Sequence, residues 1–378
     1  MKILINASTV KIAGGLTIAL NFLKAYKFSN FKHKLHVIAP VGCGYNTYIS
    51  ENISLSEIPN EILRKSKRLY LNNTWISNEI EEFKPDFIFT LGNVPLKTNL
   101  PQAHLLSNPF VVEKNYKKLN LDNKQNRNQK IRKLLFKQNL KYVDIIFPQT
   151  EIIKSKLENL YSPSAKIIVV PMAYSKLDNH FTNYKLLFEK YEDKIKLLCL
   201  SRYYQHKNIE ILLNLAQIIK KQKSPYIIVT TVDKLHNKKA EKFIDDISKM
   251  KLEDVLINIG EVRYQNIEQL YNKTDALLLP TLLESFSSTY VDAMYFKKPI
   301  FTSNLDFAKE VCGDAGFYFN PIKAESIFKT VKEAFDNPKI IEDKISKGID
   351  RIKFLPDWND TMNIYISEIE KYISERLC

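Results

Sequence analysis

The stretch Thr281-Leu-Leu-Glu-Ser-Phe-Ser-Ser-Thr-Tyr-Val-Asp-Ala-Met-Tyr-Phe-Lys-Lys-Pro-Ile300 decides the reading of this chain. An apolar run of strand length, Ala276-Leu-Leu-Leu-Pro280, leads into it. A polar loop with Glu284 and three serines follows, then a helical pattern that contains Asp292. A second apolar segment, Pro299-Ile-Phe301, closes the unit. Strand, polar loop, helix and strand in this order are the mark of parallel α/β architecture. A strand that ends at a helix N-terminus is a natural anion site, because free backbone N–H groups and the helix dipole both point there. Two acids that close to a phosphate would repel it, so Glu284 and Asp292 better suit sugar hydroxyls. Phosphate and sugar together suggest a nucleotide-sugar. Read alone, the two acids could equally be ordinary solvated helix charges.

Outward from this stretch, strand-length apolar runs alternate with longer helical patterns. In the first half, strands are expected near Lys2–Ala7, Leu35–Ala39, Phe87–Leu91, His104–Leu106, Asp144–Phe147 and Lys166–Val170. In the second half they are expected near Ile195–Leu200, Tyr226–Thr231, Val255–Ile259, Ala276–Leu279, Pro299–Thr302 and Gly316–Phe319. Both halves open alike: strand Lys2–Ala7, loop Ser8–Gly15 and helix Leu16–Tyr26, then strand Ile195–Leu200, loop Ser201–Lys207 and helix Asn208–Lys221. A length of 378 residues fits two domains, and 45% hydrophobic content is ordinary for globular cores. The expected layout is an N-terminal Rossmann-like domain over 1–173, a polar and aromatic linker region over 174–194, a C-terminal Rossmann-like domain over 195–355 and a final helix over 356–378.

Composition narrows the setting. No apolar run approaches the roughly 18 residues of a membrane span. The apolar part of Met1–Ala7 is too short for a signal peptide and reads as a strand, so a cytoplasmic place is expected. Cys43, Cys199, Cys312 and Cys378 are scattered, which supports neither a disulfide framework nor a zinc site. The net charge of +14 favours an anionic partner: nucleic acid, an anionic membrane surface or a phosphorylated substrate.

Glu284, seven residues and Asp292 resemble the Glu-x7-Glu motif of retaining glycosyltransferases of the GT-B fold, family 4-like, the glycosyl transferases of group 1. Pro280, Glu284-Ser-Phe286, Ala293-Met294 and Lys298-Pro299 fall where that family's PS-x-x-E-S-F-G … E-A-M-A-x-G-x-P pattern puts them. Ser201-Arg-Tyr-Tyr-Gln-His-Lys-Asn208, Gly260-Glu-Val262, Leu270-Tyr271, Asp275, Glu310-Val311 and Gly313-Asp-Ala315 extend the match. The N-terminal half matches more loosely, through Gly14-Gly15 and Pro148-Gln-Thr150. Departures are Ser287 for the usual Gly, Asp292 for the second Glu and Lys297 for a common Gly. The resemblance implies a GT-B fold: two Rossmann-like domains with parallel sheets facing across a cleft that closes on substrate, and a last helix crossing back to the N-terminal domain near Pro356 and Trp358. It implies a retaining hexosyltransferase that moves a sugar from a nucleotide-sugar to a glycan or lipid-linked acceptor, without cofactor or metal. Bacterial surface polysaccharide assembly, of lipopolysaccharide, capsule or O-antigen, is the expected setting.

Arg202 and Lys207 lie in a loop after a strand and before a helix, the end where open α/β domains bind ligands. Breaking a glycosyl–phosphate bond builds negative charge on the leaving diphosphate, and fixed cations there favour the transition state. A basic loop is also commonplace on a chain this positive; the family, however, has an Arg and a Lys doing this at these positions. The resemblance gives Glu284 to the donor sugar and Asp292 to the ribose hydroxyls. Asp is one methylene shorter than Glu, so that contact is expected to be longer or bridged by water. Backbone N–H groups of Phe286, Ser287 and Ser288 could complete a phosphate cradle. Gly260 and Val262 resemble the segment that borders the nucleobase, although a glycine at a strand end also serves as a plain turn. Gly14 and Gly15 allow close backbone approach to a ligand, and the family places such a loop near donor phosphate and acceptor; a flexible turn is the competing reading. No GxGxxG fingerprint, Asp-x-Asp pair or ligand-spaced His cluster is present, which disfavours a dehydrogenase and the metal-dependent GT-A class.

Many relatives carry a His near a His-x-Pro segment in the N-terminal domain. Here the residues are Leu106-Ser-Asn-Pro109, which puts Ser107 or Asn108 in that place on the acceptor side. His104 is expected to face the core. Front-side transfer, in which the leaving phosphate takes the acceptor proton, needs no enzyme base. Lys114, Lys117, Lys118, Lys124, Arg127, Lys130, Arg132, Lys133, Lys137 and Lys141 crowd one segment, with Ile131, Leu134, Leu135 and Leu140 among them at helical spacing. Arg64, Lys65, Lys67 and Arg68 form a second cluster. A basic amphipathic helix can lie on anionic lipid, peripheral to the inner face of a membrane; alternatively the apolar stripe faces the domain core.

Competing functions are a GT-B sugar-nucleotide epimerase or phosphorylase, a basic nucleic-acid-binding protein and a catalytically silent partner subunit. No nucleic-acid motif supports the third of these four, so no nucleic acid is expected as partner. A hydrolase using Glu284 and Asp292 as its acid pair would leave the arginine loop without a purpose.

Overall fold

The computed structural model describes residues 1–63, 71–174, 188–263 and 266–377. The basic cluster Arg64, Lys65, Lys67 and Arg68, the linker positions 175–187 and Cys378 lie outside the described residues. The chain forms two compact units. One comprises Met1–Lys114, Asn123–Ala173 and Pro356–Cys378, the other Asn115–Asp122 and Tyr174–Leu355.

Short, nearly continuous apolar runs in each unit become buried parallel strands, as a sheet covered on both faces requires. The first unit holds β1 (Lys2–Asn6), β2 (Lys34–Pro40), β3 (Ile53–Ile58), β4 (Phe87–Thr90), β5 (Gln102–Leu106), β6 (Ile145–Pro148) and β7 (Lys166–Ile167). Their order in the sheet is β3-β2-β1-β4-β5-β6-β7. In the second unit, β8 (Ile195–Cys199), β9 (Tyr226–Thr230), β10 (Leu256–Asn258), β11 (Ala276–Leu279), β12 (Ile300–Ser303) and β13 (Gly316–Phe319) are ordered β10-β9-β8-β11-β12-β13. The pairs are parallel; Ile3 sits beside Leu35 on one side and Phe87 on the other, and Leu277 sits beside Leu198 and Ile300.

In each sheet the winding direction reverses once, between β1 and β4 and between β8 and β11. Loops leaving two such strands run apart and open a crevice at their carboxyl ends, where doubly wound sheets bind ligands.

The sequence reading missed β3. Its residues, Ile-Ser-Leu-Ser-Glu-Ile, alternate apolar and polar only over the first four, and the strand, at the sheet edge, leaves Ser54 and Glu57 exposed. So short and broken a period-2 pattern beside long apolar runs gives little signal.

The helix Trp358–Leu377 belongs to the first unit, far from it in sequence. Its Tyr365 ring packs 6.3 Å from Phe22, 5.2 Å from Phe89 and 4.8 Å from Phe147, centroid to centroid. Phe89 and Phe147 come from β4 and β6 and Phe22 from the helix Ala13–Lys27, so one side chain joins three parts of the core. Tyr372 donates to Asp144 Oδ1 at 2.5 Å, and Lys166 pairs with Glu368 at 2.6 Å.

Truncating a fully packed aromatic costs about 3–5 kcal/mol. Tyr365→Ala is expected to lower the first unit's stability by that order in urea unfolding of the whole chain. The neighbouring, partly exposed Ile364 is a control whose change to Ala should cost about 0.5 kcal/mol or less. Equal losses would mean that the helix is not anchored through Tyr365.

Candidate donor site

The β8 loop begins at Ser201 and carries Arg202, Tyr203, Tyr204 and a single turn over Gln205–Lys207. It ends at Asn208, which adopts a left-handed backbone with φ 56°. Asn tolerates that conformation better than most residues. Its buried amide donates to the carbonyls of Pro280 at 3.2 Å and Pro321 at 2.7 Å. The β8 loop is thereby tied to the end of β11, across the point where the sheet reverses.

The tie continues along the loops. Leu282 N–H donates to the His206 carbonyl at 2.7 Å. The Thr281 hydroxyl lies 3.2 Å from that same carbonyl and 3.0 Å from Glu284 Oε1, and its one proton serves one of them at a time. Lys207 Nζ pairs directly with Glu284 Oε1. Both side chains are mostly shielded from solvent, so the pair is held in a more definite geometry than surface ions. The His206 residue is partly buried, and desolvation, with help from Lys207, pushes its pKa down to about 3. It is neutral, and its backbone carbonyl is what the site uses.

The helix Ser288–Tyr295 starts at this edge. Ser287, in the cap position, has an extended backbone, and its hydroxyl lies 2.7 Å from Thr289 Oγ1 without capping a backbone N–H. The first turn therefore presents amide groups that no side chain at the cap takes up, as an anion site requires. Phe286 leaves Ser287 at that edge by packing partly into the core. Asp292, one turn further on, is buried. Burial pushes its carboxyl up to about 7, so the site holds a carboxyl that ionises near neutrality. The Tyr271 hydroxyl is buried too and donates to the Thr289 carbonyl at 3.0 Å; burial and the charge of Asp292 both raise it.

After β10 the chain turns at Gly260, φ +76°. A Cβ built there meets nothing within 4 Å, so the demand for glycine is conformational and not steric. Val262 packs against the core just beyond. Glu261, between them, pairs with Arg202 through Oε1 and Nη1. His236, from the loop after β9, lies behind: its Nε2 is 3.8 Å from Glu261 Oε2. The sequence reading did not single out Glu261, His236 or Asn208 as functional. Each draws its role from a partner in another loop, and spacing along the chain carries no trace of that.

In the first unit, the corresponding crevice lies between β1 and β4. Gly14 and Gly15, expected in a loop, instead form the first turn of the helix Ala13–Lys27, and the turn into it falls on Ala13, φ 57°. The helix-forming run from Leu16 onward extends back through both glycines to Ala13, in spite of their low helix propensity. A Cβ on Gly14 would meet nothing within 4 Å, so open space adjoins the helix start. At Gly92 a Cβ would come within 2.6 Å of Thr9 Oγ1, and this glycine, which the sequence reading passed over, lets the β1 and β4 loops touch. Asn93 N–H reaches Thr9 Oγ1 at 3.4 Å, and Asn93 Oδ1 accepts from Asn108 Nδ2 at 3.2 Å. Asn108 also caps the turn Pro109–Val111 through its Oδ1. Ser107 N–H donates to the Leu105 carbonyl at 3.1 Å. His104 is buried on β5 against Phe136, and burial lowers its pKa to about 3.

The second unit thus assembles Arg202, Lys207, Glu284 and Glu261 at one sheet edge, with the helix start at Ser287–Ser288 beside Glu284 in sequence. The first unit holds Gly14, Gly15, Ser107 and Asn108. Among the described residues, no group of three or more His, Cys, Asp or Glu is placed to hold a metal ion.

Residues 183–351 match the family described as glycosyl transferases group 1. Over 210 residues, 55% of the chain, it is 22% identical to the O-antigen chain mannosyltransferase RfbU of Salmonella typhimurium. That match spans 56% of the relative's length, about half of it. Similar solved structures include sucrose-phosphate synthase from Thermosynechococcus elongatus, with TM-score 0.75, 14% identity and full coverage of both chains. Anabaena HepE in complex with UDP-glucose gives TM-score 0.74 and 16% identity, covering 98% of this chain and 100% of that one. WaaG, a glycosyltransferase involved in lipopolysaccharide biosynthesis, gives 0.72 and 11%, covering 96% and 99%. These likenesses establish the GT-B fold.

The Asp292 carboxyl gives a stability test with a definite sign. Its folded pKa, about 7, lies above the ordinary carboxyl range. Its contribution to stability is therefore fully present below that ordinary range and is lost as pH rises through about 7. Asp292→Asn should raise the melting temperature of the empty protein at pH 8, and the gain should shrink as pH falls toward 4. A gain of the same size at both pH values would mean that no buried charge is being relieved.

Proposed function

We propose that this chain, whose residues 183–351 form a glycosyl transferases group 1 domain, is a retaining hexosyltransferase that uses a nucleoside diphosphate-sugar donor and a glycan or lipid-linked glycan acceptor. The observation that carries the proposal is the pairing of Lys207 with Glu284 where the sheet reverses between β8 and β11, with Arg202 on the same β8 loop. Two cations and an open helix start suit a diphosphate, and a carboxylate beside them suits sugar hydroxyls. HepE, of the same fold, is known in complex with UDP-glucose, which supports a donor of this class.

In the proposed reaction the bond from the sugar's anomeric carbon to the diphosphate oxygen breaks while the acceptor oxygen bonds the same carbon on the same face. The acceptor's proton passes to the departing phosphate oxygen. Arg202, Lys207 and the N–H groups near Ser287 and Ser288 stabilise the charge that grows on that leaving group. Glu284 orients the donor sugar. Its pairing with Lys207 keeps the lysine extended toward the site. Asp292, as carboxylate, accepts from the ribose hydroxyls. Gly260 and Val262 border the base, and Gly14, Gly15, Ser107 and Asn108 belong to the acceptor-side unit. These assignments need no metal ion.

A thermal-shift panel of UDP, GDP, ADP and CMP, with and without EDTA, tests the donor site. Stabilisation by one diphosphate is expected, unchanged by EDTA and abolished in Arg202→Ala. Silence toward every nucleotide would remove the donor assignment, and loss of the response in EDTA would remove metal independence.

The setting we propose is surface polysaccharide assembly at the inner face of a bacterial membrane. RfbU and WaaG are named for O-antigen and lipopolysaccharide work, and the helix Asn123–Asn139 offers a membrane surface. It carries Lys124, Arg127, Lys130, Arg132, Lys133 and Lys137 and no acid. Phe136 and, just beyond the helix, Leu140 face the core, but Ile131, Leu134 and Leu135 are 49%, 54% and 41% exposed. The apolar stripe thus splits into an inward part and an outward ridge flanked by cations, the arrangement that inserts into an anionic lipid interface. No helix among the described residues is long and apolar enough to cross a membrane.

Co-sedimentation with phosphatidylglycerol vesicles is expected for the full chain. It should be weaker with phosphatidylcholine and should fall sharply when Ile131, Leu134 and Leu135 are all changed to Ser. Equal binding of the triple variant and the parent would show that this ridge is not the contact.

A further inference from the structure

Arg202, His236 and Glu261 leave the carboxyl ends of three adjacent strands, β8, β9 and β10. Each therefore stands on the ligand-binding edge of the second unit. Arg202 is the cation assigned above to the donor diphosphate, yet its guanidinium is already engaged by the Glu261 carboxylate. An anion bound at Arg202 must compete with that carboxylate, and a carboxylate left in place would repel a diphosphate.

Behind Glu261 the protein holds an unused donor. Tyr203 N–H donates to His236 Nδ1 at 3.2 Å. A backbone N–H can only donate, so Nδ1 is the bare nitrogen and Nε2 carries the proton. Burial and the charge of Arg202 hold the pKa of this imidazole down, which keeps it in that neutral form. The side chain is almost entirely buried, and Nε2 has no hydrogen-bond partner. Buried donors are rarely left unpaired, because desolvation without a partner is costly. Its nearest anionic oxygen is Glu261 Oε2 at 3.8 Å, just beyond hydrogen-bond reach. Gly260, with its left-handed backbone, aims Glu261 back into this corner.

We infer that Glu261 changes partners when the donor binds: it holds Arg202 in the empty site and passes to His236 Nε2–H when the diphosphate takes Arg202. Glu261 and His236 are positioning residues; neither touches the reacting atoms. The exchange keeps Arg202 extended and ready while the site is empty. It also stores the displaced carboxylate on a donor that is otherwise unpaired, so the negative charge is turned away from the phosphates. The inference rests on the donor-site reading above.

Isothermal titration of the nucleoside diphosphate that stabilises this chain tests it. A half-exposed ion pair is weak, so Glu261→Gln should tighten diphosphate binding about two- to fivefold while leaving binding of the bare nucleoside unchanged. The gain should disappear in the Arg202→Ala background. His236→Phe should weaken diphosphate binding when Glu261 is present and have no effect when Gln replaces it. Weaker binding in Glu261→Gln, or a gain that persists without Arg202, would overturn the partner exchange. An effect of His236→Phe that ignores residue 261 would do the same. If the wild type binds a diphosphate and loses it in Arg202→Ala, these outcomes bear on the exchange alone. If the wild type binds none, both readings fall.

Discussion

The hydrogen bond from Leu282 N–H to the His206 carbonyl is the tie on which the second unit's chemistry rests. It joins the β8 and β11 loops at the one place where the sheet winds in opposite directions. With Asn208 clamped between the Pro280 and Pro321 carbonyls, it fixes the spacing of Lys207 and Glu284 before any side-chain charge acts. A lysine and a glutamate on untethered loops would pair weakly and variably. Here backbone bonds set the geometry, and the ion pair follows from it. Catalytic power of the kind a leaving diphosphate demands comes from groups already in place, which need no rearrangement as charge develops.

Charge in the second unit is arranged in layers. The outer layer holds Arg202 and Glu261, open to water and able to exchange partners. The middle layer holds Lys207 and Glu284, shielded and fixed by Thr281. The innermost is Asp292, buried so deeply that its carboxyl ionises only near neutrality. Moving inward, each acid has less water and fewer cations to compensate it. A ligand that brings hydroxyl donors would find its strongest acceptor where the empty protein is least comfortable, so part of the binding free energy relieves a strain that the fold has built in.

Much of this was legible in the sequence, for physical reasons. Strands buried on both faces must be apolar throughout, so Ala276–Leu279 and Gly316–Phe319 were read to the residue, whereas Ile53–Ile58, which leaves Ser54 and Glu57 exposed, was missed. The acids and cations of the candidate site were singled out because they follow strands directly and fall in a known pattern. Glu261 and His236 were not, since their meaning lies in three loops converging from β8, β9 and β10. The start of the first helix was placed about one turn too late, which left Gly14 and Gly15 in the loop, because a helix start without a side-chain cap leaves no mark in the sequence. The basic segment split in a way that composition could not show: Leu140 went inward and Leu134 outward, although both keep helical spacing from Ile131 or Phe136.

The first unit is assembled from three separate pieces of chain, and the last of them is the helix that fills the space among Phe22, Phe89 and Phe147. On the ribosome that piece is made only after the whole of Tyr174–Leu355. At about 5–20 residues per second the wait is roughly ten to forty seconds. The second unit, nearly contiguous in sequence, can complete its core during that interval, while the first carries an open aromatic seam. The order of synthesis thus opposes the order of the sequence: the half of the protein that is translated first is the half that finishes last. Whatever shields those rings in the meantime meets a nascent chain whose first unit is still incomplete when its second is already whole.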